Sequence, residues 1–297
     1  MTRRLKDRNR SLGQSIGVQK VVDTSVLDDG RFDVSKAEYW WIPSIALAEW
    51  STGAGFWVTA KMRLVAFQKC SHRLRIAKSP IEFFEAELGM QTSMNDVLSI
   101  DSTESILSLI QDQNNFERGN RVRPDFGYAC GYSANADVSK WLGSQQEMWK
   151  SFCSWVDPSK RKAWARAYAE SDYKINAEIR KCILSKVMFV SIPLIRHQFL
   201  ADVVRVARDR FGLKRSDGPW TMIEGASYSW GFFLAHSLLF IDLGLSSGAR
   251  EHPDKNTIHT MRDLEFIVLA TYFDGLESGD TPQICRYETL IEALNRS

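Results

Sequence analysis

Four acidic residues near the two ends of the chain, Asp23, Glu49, Asp263 and Asp280, have the types and settings for metal chemistry. Asp23 follows the β-branched run from Val18 to Val22, VQKVV, and opens Asp23-Thr24-Ser25. A buried strand there delivers an acid at its carboxyl end. Glu49 falls in the second turn of a helix, IALAEW, that Ser44 can cap after a short strand candidate, YWWIP, at residues 39–43. Asp263 stands at the N-terminal end of an apolar stripe, Phe266, Ile267, Ala270 and Phe273, spaced as one face of a helix, with Gly275 as its stop. Asp280 closes a brief strand at 276–279. Any one of these acids also suits an ordinary helix cap. Gathered within several ångströms, four carboxylates repel, and some must take up protons near neutral pH. A hard divalent cation removes that conflict, and an all-oxygen donor set favours Mg²⁺ or Mn²⁺ over Zn²⁺. One or two such ions can hold a phosphodiester, lower the pKa of a bound water and stabilise the leaving oxygen. The chemistry predicted is hydrolysis of a phosphate ester.

The elements that position these acids alternate as strand, helix, strand and, late in the chain, helix and strand. Such alternation predicts an α/β fold with a parallel sheet and crossover helices. In a sheet of that kind the carboxyl ends of strands and the N-termini of the following helices share one edge, where ligands bind. All four acids are expected on that edge. The interior of the chain reads as mostly helical. Ser79-Pro80-Ile81-Glu82 has capping-box spacing with proline at the first helical position, and Asp101-Ser102-Thr103-Glu104 repeats it with Asp101 as the cap.

In order and type these blocks resemble the signature of PIN-domain nucleases. The matching segments are Val21-Val22-Asp23-Thr24-Ser25, Ile42-Pro43-Ser44 leading to Ala48-Glu49, Arg262-Asp263 with Ala270, and Ser278-Gly279-Asp280. The resemblance implies a PIN-like parallel sheet flanked by helices, discontinuous in sequence over residues 17–55 and 246–297. A large, mostly α-helical insertion over 56–245 would divide it, behind a basic arm at 1–16. It further implies that Asp23, Glu49, Asp263 and Asp280 are both the metal ligands and the catalytic residues. Ser25 and Ser278 would support them as hydroxyl donors. The implied activity is Mg²⁺- or Mn²⁺-dependent endonuclease or 5′-nuclease cleavage, most often of RNA.

Composition agrees with a folded chain and excludes several classes. Of 297 residues 44% are hydrophobic and ten are tryptophan, enough for a substantial core. The formal charge of +2 singles out no acidic or basic partner. Five scattered cysteines without a CxxC pair suit a reducing cytoplasm better than a disulfide scaffold. The first residues are basic without an apolar core, unlike a secretory signal. The most apolar run, near 230–245, contains His236 and Asp242 and falls short of a membrane span. A soluble cytoplasmic protein is expected, with no membrane partner.

Beyond the acids, His259 lies one turn before Asp263, where it could orient that acid or donate to a phosphate; a surface or capping histidine fits the same place. A nuclease must hold phosphates away from the cut. Arg121 and Arg123, interleaved with Phe126 and Tyr128, suit stacking on unpaired bases, and Arg250 with Lys255 forms a second basic pair. Ordinary surface charge explains any one such patch. The alternative from another class is a non-catalytic PIN-like or helical interaction module that binds RNA or a protein. The sequence leaves room for a protein inhibitor and for a homo-oligomer.

Overall fold

The structure is a computed structural model. It describes residues 17–28, 30–50, 63, 65–80, 82–83, 98–111, 228, 231–232, 235, 239 and 255–296. Four strands, β1 (Gln19–Val22), β2 (Tyr39–Ile42), β3 (Leu74–Ile76) and β4 (Leu276–Glu277), form one sheet in the order β3-β2-β1-β4. Every strand pair is parallel. Val21 lies opposite Trp41 on one side and Leu276 on the other. The strands are short, and their β-branched and aromatic residues are buried: Val21, Val22, Trp40, Trp41, Ile42, Leu74 and Ile76. That is the composition of a sheet covered on both faces.

The chain moves outward from β1 through β2 to β3, then returns to the far side of β1 with β4. Strand order therefore reverses between β1 and β4, the position at the carboxyl ends of the strands where open α/β sheets have their ligand crevice. The expectation of an α/β parallel sheet with helices holds. β3 was not anticipated: Leu74–Ile76 falls inside the stretch 56–245 read as a helical insertion, yet it supplies the edge strand. Its outer edge is covered. Ser99 N donates to Ile76 O at 2.8 Å, and Ile76 N donates to Thr103 Oγ1 at 3.0 Å. Cover of this kind satisfies the backbone groups that an open edge leaves unpaired. Residues 112–227 lie outside the described residues.

Among the described residues, helices α1 (Thr24–Asp28), α2 (Ser44–Trp50), α3 (Ile100–Gln111), α4 (Lys255–Ala270) and α5 (Thr281–Arg296) flank the strands. The capping box at Ser79 forms reciprocally, with Ser79 N donating to Glu82 Oε2 at 2.6 Å and Glu82 N donating to Ser79 Oγ at 3.4 Å. At the next predicted box, α3 starts one residue before Asp101. Ser99 O accepts from Thr103 N at 3.0 Å, and Asp101 sits exposed in the first turn, where its charge suits the helix dipole.

A larger correction concerns α4. It begins at Lys255, so Asp263 occupies the middle of the helix rather than its N-terminal end. From Leu264 to Ala270 every residue is buried. A helical segment buried on all sides belongs in the centre of a fold. Phe273, three residues beyond its end, stacks on Trp41 with ring centroids 4.5 Å apart. Helical residues Tyr228, Phe232, Ala235 and Leu239, spaced as one face, are also buried, and Tyr228 stacks on Phe83 at 4.3 Å. The apolar run near 230 thus contributes to the core. Among the described residues no helix is long and apolar enough to cross a membrane.

The helix stops at Ala270, and tight turns carry the chain on to Gly275, whose φ is +150°. Gly275 O then accepts from Val21 N at 2.9 Å, which starts the β1–β4 ladder. L side chains rarely adopt that φ, although the nearest atom to a new Cβ would be a comfortable 3.9 Å away. Gly275→Ala is therefore expected to destabilise the protein by about 1–3 kcal/mol through backbone strain alone. Urea unfolding monitored by tryptophan fluorescence checks this.

Candidate functional site

Side chains alternate along a strand, so residues two apart share a face. Val21 lies opposite Leu276, which puts Asp23 and Ser278, each two residues further on, side by side on that same face. Asp23 N extends the ladder by donating to Glu277 O at 2.9 Å. The buried Asp23 carboxylate then receives two hydroxyls on Oδ2, Ser25 Oγ at 2.5 Å and Ser278 Oγ at 2.8 Å. Thr24 Oγ1 stands 3.5 Å from the other oxygen, Oδ1.

An ordinary N-cap uses its side chain to accept from the amides of the second or third helical residue. Asp23 does otherwise. Its main-chain carbonyl accepts from Val26 N at 3.2 Å, while its carboxylate binds hydroxyls beside it and across the crevice. Those hydroxyls are held in turn by the following loop. Gly279 N donates to Ser25 Oγ at 3.1 Å, and Asp280 N donates to Ser278 Oγ at 3.0 Å. With a lone pair occupied by an amide, each hydroxyl is set to give its proton to Asp23.

Gln283 completes this network. Its side-chain amide is buried and lies 2.5 Å from Ser278 Oγ, with Oε1 placed nearest and Nε2 without a hydrogen-bond partner among the described residues. A hydroxyl has one proton. If Ser278 gives it to Asp23, the amide must present nitrogen to Ser278, the orientation that such a network dictates. The carbonyl is then left over, the less costly group to leave unsatisfied. Asp280 and Gln283 also have the spacing of a capping box at the start of α5, where Asp280 O accepts from Ile284 N at 3.1 Å. Ser278 Oγ engages the Asp280 amide and the Gln283 side chain, which in such a box bond each other.

On the opposite face Glu277 pairs with Lys20 at 3.1 Å and with Lys36. Burial pulls the Glu277 carboxyl upward, but hydrogen bonds from Lys36 and Lys20, with their charges, outweigh it and hold it below the ordinary glutamate value. The Glu277 hydrogen bond and charge raise Lys36.

The structure therefore brings together Asp23, Ser25, Ser278 and the backbone of Asp280. Asp263 is half-buried on α4, a helix packed against both β1 and β4. Glu265, two residues on, is buried and was not anticipated. Residues two apart on a helix do not face each other, so the two acids cannot both serve one site. The side chains of Glu49, His259 and Lys255, and all of Arg121, Arg123 and Arg250, lie outside the described residues. Among the described residues no three His, Cys, Asp or Glu side chains form a group ready to hold an ion. What the site offers is hard oxygen: a carboxylate with one oxygen engaged and hydroxyls around it, a donor set that fits Mg²⁺ or Mn²⁺. The buried Cys70 thiol is pushed up to about 12 by desolvation, against the opposing charge of Arg73, and is no nucleophile.

No family model, curated protein or solved structure matches this chain. The functional reading rests on the sequence motifs and on the geometry around Asp23. Gln283 was legible in principle from its spacing to Asp280; nothing in the sequence marked Arg31, whose guanidinium lies over Gly279.

Two outcomes follow from these contacts. Ser278→Ala removes a proton donor from Asp23 and strands Asp280 N, and should cost about 1–3 kcal/mol by chemical denaturation. The Glu277 ion pair, from a depressed carboxyl, contributes stability above the ordinary value of 4.5 and loses it as pH falls through the lower folded value. Lys36, being raised, keeps its contribution at neutral pH and loses it only in strong base. Melting temperatures should consequently fall more steeply with acid in the wild type than in Glu277→Gln.

Proposed function

We propose that the protein is a metal-dependent nuclease with a PIN-like site, hydrolysing phosphodiester bonds with RNA as its substrate class. The observation that carries this reading is the buried Asp23 carboxylate at the strand-order reversal, oriented by Ser25 and Ser278 through the same loop that bears Asp280. A crevice at the carboxyl ends of parallel strands, where the order reverses, is the general ligand position of open α/β sheets. An acid held there by two donated hydroxyl protons is fixed in direction.

In this proposal Asp23, Glu49, Asp263 and Asp280 hold Mg²⁺ or Mn²⁺. When bound, the ion supplies an activated water and positive charge for the leaving oxygen. The chain's own part is to orient the acids, through Ser25, Ser278 and Gln283, and to hold the strand. Arg121, Arg123, Arg250 and Lys255 would bind phosphates beyond the cut, and His259 would support Asp263. A second reading is a PIN-like module that binds RNA or a protein without cutting.

One assay separates the two. Labelled RNA incubated with the protein and Mn²⁺ should be cleaved, and chelator should stop cleavage. Asp23→Asn and Asp263→Asn should each lower the rate at least about a hundredfold, since even outer-shell changes at metal sites cost that much. The metal-free variants should keep their stability within about 1 kcal/mol or gain some, because lost charge repulsion offsets weakened hydrogen bonds. Binding without turnover, indifferent to both substitutions, supports the module instead.

A further inference from the structure

Gly279 lies between Ser278 and Asp280, and its φ is outside the positive range, so the backbone itself does not require glycine there. What glycine leaves there is space for a side chain from elsewhere. A Cβ at 279 would meet the tip of the Arg31 guanidinium, with Arg31 Cζ 3.3 Å away and Ser25 Oγ also at 3.3 Å. Arg31 is exposed, and it comes from the loop after α1 to lie over this one position without a side chain. Gly279 N is bonded to Ser25 Oγ at 3.1 Å, and Ser25 Oγ is 2.5 Å from Asp23 Oδ2. The guanidinium is thus seated three contacts from the buried carboxylate, by way of Gly279 and Ser25.

A guanidinium cannot share a metal with carboxylates, and it stays protonated at any working pH. Its planar fork matches two oxygens of one phosphate, at strengths above those of neutral hydrogen bonds. We infer that Arg31, seated over Gly279, is a substrate-binding residue that clamps the non-bridging oxygens of the RNA phosphodiester presented to Asp23. The inference rests on the nuclease reading above and adds the residue that recognises the reacting phosphate. Gly279 is the complementary half of the device, because any side chain there lifts the clamp.

The test measures binding separately from cleavage. Anisotropy of a fluorescein-labelled single-stranded RNA is titrated with full-length Asp23→Asn in Mn²⁺, with and without added Arg31→Ala, Arg31→Lys or Gly279→Ala. Arg31→Ala should weaken binding roughly ten- to a hundredfold, as for a lost charge-assisted pair. It should also reduce the slope of log affinity against log salt by about one. Gly279→Ala should weaken binding although the arginine is still present, and Arg31→Lys should recover only part. In the otherwise wild-type chain, Arg31→Ala should raise KM more than it lowers kcat.

RNA bound as tightly by Arg31→Ala as by its parent, with an unchanged salt slope, overturns the inference, whatever happens to the melting temperature. If binding and melting temperature fall together, Arg31→Lys decides. Recovered melting with impaired binding supports the clamp, and recovery of both overturns it. Wild-type cleavage with Arg31→Ala unchanged removes the clamp and keeps the nuclease. Arg31-dependent binding with no wild-type cleavage does the reverse, and no RNA binding by the parent removes both.

Discussion

The parallel pairing of β1 with β4 is the constraint on which the candidate site depends. It joins parts of the chain 255 residues apart at the Ser278–Asp23 hydrogen bond. β4 is only two residues long, so its place cannot come from strand propensity. It is held by its surroundings: Asp274 accepts from Gln19 N at 2.9 Å, Gly275 turns the chain into register, and Phe273 stacks on Trp41. Contacts this distant in sequence carry a large loop-closure cost and form late. The site's geometry is thus borrowed from the stability of α4 and the sheet, not made locally.

Much of the sheet was legible in the sequence where short-range chemistry decides it. VQKVV and YWWI were read as strands because β-branched and aromatic residues pack well on a pleated surface, and both are strands within a residue. The Ser79–Glu82 box formed as its spacing suggested. β3 escaped notice, since Leu-Arg-Ile is too short to show a period. The start of α4 was misplaced because 255–262 announces a helix only weakly, with Ile258 and Met261 as its apolar residues, so Asp263 was taken for an end when it is a middle. α5 went unremarked, and with it Gln283.

At the site, alternation along strands proved the informative rule. Asp23 was placed from sequence on the ligand edge, and Ser278 was implied by the resemblance as a supporting hydroxyl; register brings them together. Sequence could not show that one carboxylate oxygen takes two hydroxyls while backbone amides hold those hydroxyls in place. Nor could it assign Glu277 and its lysines to the opposite face, where they neutralise charge beneath the crevice without entering it. Buried Glu265 beside half-buried Asp263 is the same kind of surprise, because burial of a helix position depends on what packs against it.

The order of synthesis adds a consequence to the split between Asp23 and Ser278. At about 5–20 residues per second, the acid leaves the ribosome roughly ten to fifty seconds before the serine that must meet it. Until then Asp23 sits at the end of a strand with one neighbour missing and an open flank. Whatever the pair does together is withheld from the nascent chain until nearly all of it has been made.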